Sequence, residues 1–394
     1  MSGAPGRPLT LMLVCGEPSG DQLGAQLMAA LKTLAGGRVN FVGVGGEAMA
    51  ALGLKSLFPL DATAVMGLHE ILPRIPEILR RVRRAAAFAA ETRPDAAVLI
   101  DSPDFTHRIA RRLKRIAPRI VTINYVAPQV WANRSYRARR MAEYFDLVLA
   151  LLPFEAPFFE GYGLHSVFVG HPAVERAGRM TGGEAFRARH GIAAGAPLLA
   201  VLPGSRSAEI RYILPQFREA VRLLAARVPG LVTVLPTVPH VAARVRAGTA
   251  GWAAPLHIVE SEDEKFAAFD AADAALAASG TVTTELALSR TPMIVAYKVG
   301  RLTWTLLKPF VHAKYITISN LLLDREAVPE YLQSRCRPDL LADAVYPLLA
   351  DKSAAARQAA DLDEAMRRLG QGGEPPSLRA ARAILDFLAR PAAA

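Results

Sequence analysis

Short apolar runs alternate with longer amphipathic stretches along the whole chain, and this alternation limits the fold more than any other feature. Each run has the length of a buried β-strand, and the first six end at Gly or Pro. The runs are LTLMLVCG, VNFVGVGG, AAVLIDSP, IVTINYVAP, DLVLALLP, SVFVGHP, PLLAVLPGS, LVTVLPTVP, PLHIVES, AALAASG and MIVAYKV. Strands that alternate with helices in this way predict an α/β fold with parallel, doubly wound sheets.

The length of the chain predicts two such sheets. It has 394 residues, whereas a single hydrophobic core usually stops growing at roughly 250 to 300 residues. A segment richer in Gly, Ala and charge, at about 171–196, separates the two series of strands. We expect one Rossmann-like domain over 1–175, completed by C-terminal helices within 345–394, and a second over 176–344. Because such sheets bind ligands at the carboxyl ends of their strands, an active site between the domains is expected.

The chain is basic, with a formal net charge of +11, so its field attracts anions such as phosphorylated substrates, nucleic acid or an acidic membrane surface. The densest basic stretches are 74–84, 107–115 and 134–140. They lack the regularly interleaved aromatic residues of a base-stacking surface. Phosphate or membrane contact is therefore favoured over nucleic acid, although ordinary solvated helix faces would explain any single stretch.

The cysteines and the N-terminus bear on the compartment. Cys15 and Cys336 are the only two cysteines, too few and too distant in sequence to indicate a disulfide framework or a zinc site. The first apolar run is too short for a membrane span and lacks a signal-peptide layout. We interpret it as a buried strand and expect a cytoplasmic protein.

Two loops in the second half have the composition of anion-binding turns, and the first is LPGSRSAEI at 202–210. A strand that ends at Pro-Gly-Ser would leave amide groups near Gly204 and Ser205 free at the start of a helix. Arg206 would add a fork of donors that fits a diphosphate. A tight turn with a solvent-exposed arginine is the alternative.

The second loop, ASGTVTTELAL at 278–288, repeats this arrangement. Ser279, Gly280 and Thr281 offer hydroxyl and amide donors where a strand becomes a helix, and two such loops in one domain suggest a nucleotide. Glu285 lies one turn inside the helix and could accept the paired hydroxyls of a ribose. Its charge near the helix N-terminus would explain the residue nearly as well.

In the first half, VLIDSPDF at 98–105 places Asp101 at the end of a predicted buried strand. A carboxylate at this edge of the sheet is positioned to act as a general base. Asp104 is better explained as a helix cap.

The segment CGEPSGDQLGAQL at 15–27 is a glycine-rich turn from a strand to a helix. With Glu17, Ser19, Gly20 and Asp21 it could hold a polar acceptor against backbone amides. A simple glycine turn with Ser19 or Asp21 as helix cap is an equal alternative.

Taken together, these motifs resemble the lipid-A-disaccharide synthase family, inverting glycosyltransferases whose fold is similar to the GT-B class. The resemblance covers nearly the whole chain and depends on motifs in a fixed order: GEPSGDQLGAQL, AVMGLHEILPR, IDSPDF, NYVAPQVWANR, DLVLALLPFE, FVGHP, LPGSRSAEI, ASGTVTTELAL and ITISNLLLDREAVPEYLQ. One position departs from the family, since Asn133 stands where a second tryptophan is usual. This leaves the shape of the segment 131–134 open.

The resemblance implies transfer of diacylglucosamine from UDP-diacylglucosamine to the primary hydroxyl of diacylglucosamine 1-phosphate, lipid X. Asp101 would be the base, and Arg206 would neutralise the departing diphosphate with no metal and no cofactor. The first domain would bind the acceptor, and backbone near 257–259 of the second would hold the uracil. The implied donor-site residues are Gly204, Ser205, Arg206, Glu209, Ser279, Gly280, Thr281, Glu285 and Asn320.

Because both implied substrates carry acyl chains, the protein has to meet a membrane surface or shelter the lipids. Residues 64–84 combine apolar and basic side chains, as peripheral membrane segments do, although Ile75, Ile78 and Leu79 could instead pack in the core. We expect peripheral association with the cytoplasmic face of the inner membrane. A second patch, 301–315, could line an acyl groove or a subunit contact; a homodimer is an expectation of the resemblance only. The expected membrane residues are Val65, Met66, Leu68, Ile71, Leu72, Arg80 and Arg81.

Two other classes of enzyme share parts of this pattern. A cell-wall glycosyltransferase or a UDP-sugar epimerase of similar architecture would keep both anion loops but would not need the segment 64–84. A NAD-dependent oxidoreductase would bind its cofactor at GVGGEA, 43–48, which matches GxGxxA after a strand. The acidic residue that should end the next strand is missing, since Asp61 does not lie in such a position.

Overall fold

The computed structural model describes residues 7–60, 75–130, 136–300, 304–305 and 314–390. The chain divides into two compact units. The first contains Met1–Pro172 and Gly373–Ala394, and the second contains Ala173–Gly372.

The first unit contains a six-stranded parallel sheet in the order β2-β1-β3-β4-β5-β6. Its strands are β1 (Leu9–Cys15), β2 (Val39–Val44), β3 (Ala96–Ile100), β4 (Val121–Tyr125), β5 (Leu147–Ala150) and β6 (Ser166–Phe168). Its helices up to β6 are α1 (Pro18–Leu34), α2 (Glu47–Ala51), α3 (Ile75–Thr92), α4 (Pro103–Ile116), α5 (Tyr136–Met141) and α6 (Glu155–Glu160). The winding reverses between β1 and β3, which are hydrogen-bonded neighbours.

The second unit repeats this architecture with the sheet order β12-β11-β10-β7-β8-β9. Its strands are β7 (Leu198–Leu202), β8 (Val232–Pro236), β9 (Leu256–Val259), β10 (Ala274–Ala278), β11 (Met293–Tyr297) and β12 (Glu330–Leu332). Its helices are α7 (Gly183–Arg189), α8 (Ser207–Ala225), α9 (Pro239–Gly248), α10 (Glu262–Ala271), α11 (Thr281–Leu288), α12 (Ile318–Leu323), α13 (Pro338–Ala350) and α14 (Lys352–Leu369). 3₁₀ helices span Pro172–Arg179 and Gln333–Arg335, and the winding reverses between β7 and β10.

Helices cover both faces of each sheet, which explains why the central strands are apolar without alternation. In β3, AAVLI is buried throughout; Ala97 and Leu99 belong to one hydrophobic core, while Ala96, Val98 and Ile100 belong to the core on the opposite face. The expected α/β fold with two parallel, doubly wound sheets is confirmed. The sequence patterns did not indicate β12, a strand of three residues that pairs with β11 at the edge of the sheet.

The C-terminal helices are divided between the units. Helices α13 and α14 belong to the second unit, where Leu341 and Val345 lie in its core and Gln358 bonds to the amide of Met293. Only the last helix, α15 (Pro376–Ala389), packs on the first unit, and its Ile384 is fully buried there. The second unit thus extends to Gly372 rather than to residue 344, because α13 and α14 cover its sheet.

Within the described residues, the chain has no helix that combines the length and the hydropathy needed to cross a bilayer.

A substitution at Gly43 would test the close contact between β1 and β2. It pairs with Leu13 and has φ of +133°, and a Cβ at this position would lie 1.9 Å from the Leu13 carbonyl oxygen. We expect Gly43→Ala to destabilise the protein by about 1–3 kcal/mol or more, seen as a thermal midpoint several degrees lower in circular dichroism. Gly161→Ala is the control, because its Cβ would meet only ordinary contacts of 3.4 and 3.5 Å. Equal midpoints for both variants would contradict this packing.

Candidate functional site

The second unit has a cavity of about 340 Å³ at the carboxyl ends of β7, β8 and β10. This is the place where the order of strands reverses, and ligands of doubly wound sheets bind there. The described lining residues are Leu202, Gly204, Ser205, Arg206, Glu209, Pro236, Thr237, Val238, Lys265, Ala278, Ser279, Gly280, Thr281, Val282 and Glu285. The two glycine-containing loops of the sequence analysis therefore lie in one cavity.

The first of these loops is closed by Glu209, on the first turn of α8. Its buried carboxylate accepts hydrogen bonds from the amides of Ser205, at 2.9 Å, and Arg206, at 3.1 Å. Gly204 has φ of +109°, and a Cβ there would lie 2.3 Å from a Glu209 oxygen. The loop thus requires glycine both for its backbone conformation and for the approach of this carboxylate.

This bonding changes the expected role of the loop. The amides of Ser205 and Arg206 are engaged by Glu209 rather than free. The guanidinium of Arg206 is 3.0 Å from Glu209, and its side chain is 63% exposed. Most of its donors can therefore still reach a ligand, together with the first-turn amides of α8 that have no partner within the helix.

Glu285 lies at the second loop and is also buried, with 4% of its surface exposed. Its Oε2 accepts from the ammonium group of Lys265 at 2.9 Å, and its Oε1 from Arg176 at 3.3 Å. A buried carboxylate needs such partners to offset the loss of its hydration. Each oxygen keeps a further lone pair, so Glu285 can still accept hydroxyl groups from a ligand.

Sequence reasoning missed Lys265 and Arg176. Lys265 lies in the acidic run EDEKF at the start of α10, and Arg176 lies in the 3₁₀ helix Pro172–Arg179. No local pattern could have found them, because only the packing of these helices around α11 brings both cations to Glu285.

The side chain of Asn320 is used in hydrogen bonds that stabilise the fold. It is fully buried, its Nδ2 donates to the Val328 carbonyl at 2.7 Å and to Glu330 at 2.8 Å, and its Oδ1 accepts from the Val328 amide. The described lining of the cavity does not include Asn320. The side chain holds the loop before β12, so the structure does not bring it together with the other donor-site residues. His257, on β9, is likewise outside that lining, and burial lowers its pKa, with His190 acting in the same direction.

In the first unit the strand order reverses between β1 and β3, and Asp101 directly follows β3 at the crevice that such a reversal creates in doubly wound sheets. Asp101 and Ser102 both have left-handed backbones, with φ of +51° and +46°. Such residues are uncommon and are held by their surroundings. Here the Asp101 amide donates to the Tyr125 carbonyl at 2.9 Å, and its carbonyl accepts from the Thr106 hydroxyl at 2.6 Å. The turn thus fixes the backbone from which the carboxylate extends.

The glycine-rich turn after β1 lies against this same turn. A Cβ on Gly16 would be 2.6 Å from both Cβ and Oγ of Ser102. Glu17 and Ser19, which follow, are exposed. Burial raises the pKa of Cys15 to about 12, and the charges of Asp21 and Asp101 act in the same direction. Cys15 is therefore a neutral thiol beside the crevice.

Asp21 serves the fold. Its buried carboxylate accepts from the amides of Gly46, at 2.7 Å, Ala48, at 2.9 Å, and Met49, at 3.2 Å. It therefore occupies the N-terminus of α2, where the diphosphate of a dinucleotide would have to bind. GVGGEA is a helix start filled by the protein's own carboxylate, which argues against the NAD alternative.

The apolar members of the expected membrane segment, Val65, Met66, Leu68, Ile71 and Leu72, lie outside the described residues, as do residues 131–135 and most of 301–315. Helix α3 is described, and Val82, Ala85, Ala86 and Ala89 form its buried face. Ile78 packs partly against that core, whereas Ile75 is 40% exposed.

The arginines of α3 have two different environments. Arg80, Arg83 and Arg84 are exposed and share one helix face by their spacing. Arg81 instead bonds to Glu77 and to the Pro59 carbonyl and covers the ring of Phe58. Arg81 is therefore part of the local packing, and its three neighbours form an exposed basic face.

No group of three or more His, Cys, Asp or Glu residues in the described part of the chain is arranged to hold a metal ion.

Comparison with known proteins gives the family. A family model described as lipid-A-disaccharide synthetase matches residues 11–384. The lipid-A-disaccharide synthase of Rhodospirillum centenum is 48% identical over 384 residues, which cover 98% of this chain and 96% of the relative. A relative of the same name from Rhodopseudomonas palustris is 43% identical over 379 residues, with 96% of both chains covered.

Solved structures agree on the fold. A structure titled S. aureus MnaA-UDP co-structure has a TM-score of 0.66 at 14% identity and covers 96% of this chain and 97% of that one. Acinetobacter baumannii MurG has a TM-score of 0.57 at 16% identity and covers 97% and 99%. At these identities the likeness concerns the fold alone, and the expected GT-B-like class is confirmed.

Proposed function

The chain belongs to the lipid-A-disaccharide synthase family and is a glycosyltransferase, and we propose which of its residues carry out the transfer. Diacylglucosamine passes from UDP-2,3-diacylglucosamine to 2,3-diacylglucosamine 1-phosphate, lipid X. The products are the β-1,6-linked disaccharide 1-phosphate and UDP. The family match spans nearly the whole chain, so another cell-wall glycosyltransferase or a UDP-sugar epimerase is not favoured.

The donor diphosphate is proposed to bind in the cavity of the second unit. One observation supports this assignment. A single cavity is lined by the starts of two helices, α8 and α11, and by the cationic side chains of Arg206 and Lys265. Helix N-termini and guanidinium groups are suited to diphosphate oxygens. Glu285 would accept the ribose hydroxyls while its contacts with Lys265 and Arg176 hold its carboxylate in place.

The acceptor is proposed to bind at Asp101. Its carboxylate would take the proton of the primary hydroxyl while that oxygen bonds to the anomeric carbon of the donor. The bond from this carbon to the diphosphate breaks at the opposite face, so the configuration inverts and the electron pair leaves with UDP. Arg206 and Lys265 would stabilise the charge that grows on the leaving diphosphate, as a divalent ion does elsewhere.

Both substrates carry acyl chains, so we also propose a peripheral membrane contact at the cytoplasmic face of the inner membrane. The exposed basic face of α3 supports it, because arginines attract an anionic leaflet.

Asp101→Asn tests the general base. It removes the proton acceptor but keeps the shape of the side chain, so turnover should fall by a factor on the order of 100 or more. The assay is the release of UDP and disaccharide phosphate from the two lipid substrates, with UDP affinity unchanged in calorimetry. Glu91→Gln, at an exposed carboxylate of the same unit, is the control and should keep full turnover. Near-normal turnover of Asp101→Asn would exclude Asp101 as the base.

Arg206→Ala tests the diphosphate site. It removes charge-assisted hydrogen bonds of about 1.5–3 kcal/mol, so UDP affinity in calorimetry should fall by at least about tenfold. Arg211→Ala removes the same charge from an exposed position of α8 outside the cavity and should leave the affinity unchanged. Equal affinities for the two variants would place the diphosphate elsewhere.

Replacing Arg80, Arg83 and Arg84 together by Ser tests the membrane contact. Each arginine near an anionic surface contributes about 1 kcal/mol, so binding to phosphatidylglycerol vesicles in co-sedimentation should weaken strongly at low salt. Arg81 is kept because it packs against Phe58 and Pro59. The matched control replaces Arg112, Arg115 and Arg119, which are exposed on the same unit. Equal losses in both triple variants would show a general charge effect and contradict a contact through α3.

A further inference from the structure

A second basic site lies in the first unit, apart from the residues assigned above. A cavity of about 240 Å³ between α4 and α5 is lined by Arg108 and Arg111 of α4 and by Arg137 and Arg140 of α5. We call this cavity the arginine pocket. Two of the three basic stretches of the sequence, 107–115 and 134–140, thus meet in one place.

The field in the arginine pocket is positive. Its described lining has four guanidinium groups and one carboxylate, Asp104. His107 lines the same pocket, and burial lowers its pKa to about 3, with Arg111 and Arg137 acting in the same direction. This imidazole is therefore neutral near pH 7, and the arginines supply the charge that an anion would meet.

Aromatic residues hold part of the pocket in place. Arg111 donates to the Tyr144 hydroxyl at 3.2 Å, and its guanidinium carbon lies 4.7 Å from the centre of that ring. The same hydroxyl is 3.2 Å from Nδ1 of His107. Since a guanidinium has five donors, Arg111 can fill this role and still offer hydrogen bonds to a ligand. Such planar forks fit the oxygens of a phosphate.

We propose that the arginine pocket binds the phosphate monoester of the acceptor sugar, an assignment that rests on the proposed function. Helix α4 starts two residues after Asp101, and its first residues, Pro103 and Asp104, already line the arginine pocket. In a hexopyranose 1-phosphate, the primary hydroxyl and the anomeric phosphate are attached through the two carbons that flank the ring oxygen, so the two groups point away from the ring in different directions. A sugar whose hydroxyl meets Asp101 can therefore extend its phosphate toward this pocket. A phospholipid headgroup has related chemistry and is the other source of phosphate to be tested.

The test compares Arg111→Gln/Arg137→Gln with the matched pair Arg112→Gln/Arg139→Gln, which removes the same charge from exposed positions of the same two helices outside the pocket. Each full-length protein is assayed with lipid X and with its dephosphorylated analogue. In the pocket variant, KM for lipid X should rise about tenfold or more, while KM for the analogue and the UDP affinity stay unchanged. The preference for the phosphorylated acceptor should thus fall only in the pocket variant. An unchanged preference would overturn the proposal.

Two further measurements separate the alternatives. The first is the binding of glucosamine 1-phosphate in calorimetry, which does not depend on turnover. If the parent binds it and the pocket variant does not, the site is supported even if the parent makes no disaccharide. If the parent does not bind it, the proposal is overturned. The second is binding to phosphatidylglycerol vesicles in co-sedimentation. If the pocket variant no longer binds these vesicles but keeps its preference for the phosphorylated acceptor, the pocket binds bilayer headgroups and the acceptor assignment is wrong. If the double variant has a lowered thermal midpoint, the single variant Arg137→Gln, at an exposed position, replaces it in the test. Its KM for lipid X should rise by a smaller factor than that expected of the double variant.

Discussion

The reversal of strand order in each parallel sheet is the constraint on which the functional geometry depends. Neighbouring strands there lead into loops that turn to opposite faces, so a crevice forms at the carboxyl edge at that point. In the first unit this opening lies between β1 and β3, and in the second between β7 and β10. Asp101 and the two anion loops all follow these strands. Within each unit, the position of these residues at the reversal of strand order is therefore a consequence of chain winding rather than of any local motif.

Three buried carboxylates show how such loops are kept in shape before a ligand binds. Asp21 satisfies three amides at the start of α2, Glu209 satisfies two amides of its own loop, and Glu285 pairs with two cations. The hydrogen bonds of Asp21 stabilise the fold. The other two lie in the cavity, where amides or cations already balance their charge. At the proposed donor site, a diphosphate would thus bind Arg206 and Lys265 while the amides and Arg176 still balance the two carboxylates.

Positive charge is divided among several places on the chain. Arg206 and Lys265 lie in the cavity of the second unit, and the first unit has the arginine pocket and the exposed face of α3. Arg81, in contrast, is one of the same run of arginines yet bonds to Glu77 and Pro59. The residues of one basic stretch can therefore have different roles. The helix face on which each arginine lies decides whether its side chain packs against the protein or is available for a ligand.

Local pattern was enough for the class of fold, the strands that carry the loops, and the residues that end those strands, because apolar periodicity and turn chemistry are short-range properties. Asp101 could be placed at the end of a strand, and Arg206 and Glu285 at the starts of helices, for this reason. Tertiary structure decided the rest. It brings Lys265 and Arg176 to Glu285, joins the stretches around Arg111 and Arg137, and gives Asp21 and Asn320 structural bonds; it also places α13 and α14 with the second unit. Each of these depends on contacts between segments distant in sequence, and such contacts are set by the packing of helices on a sheet, which no single stretch of residues encodes.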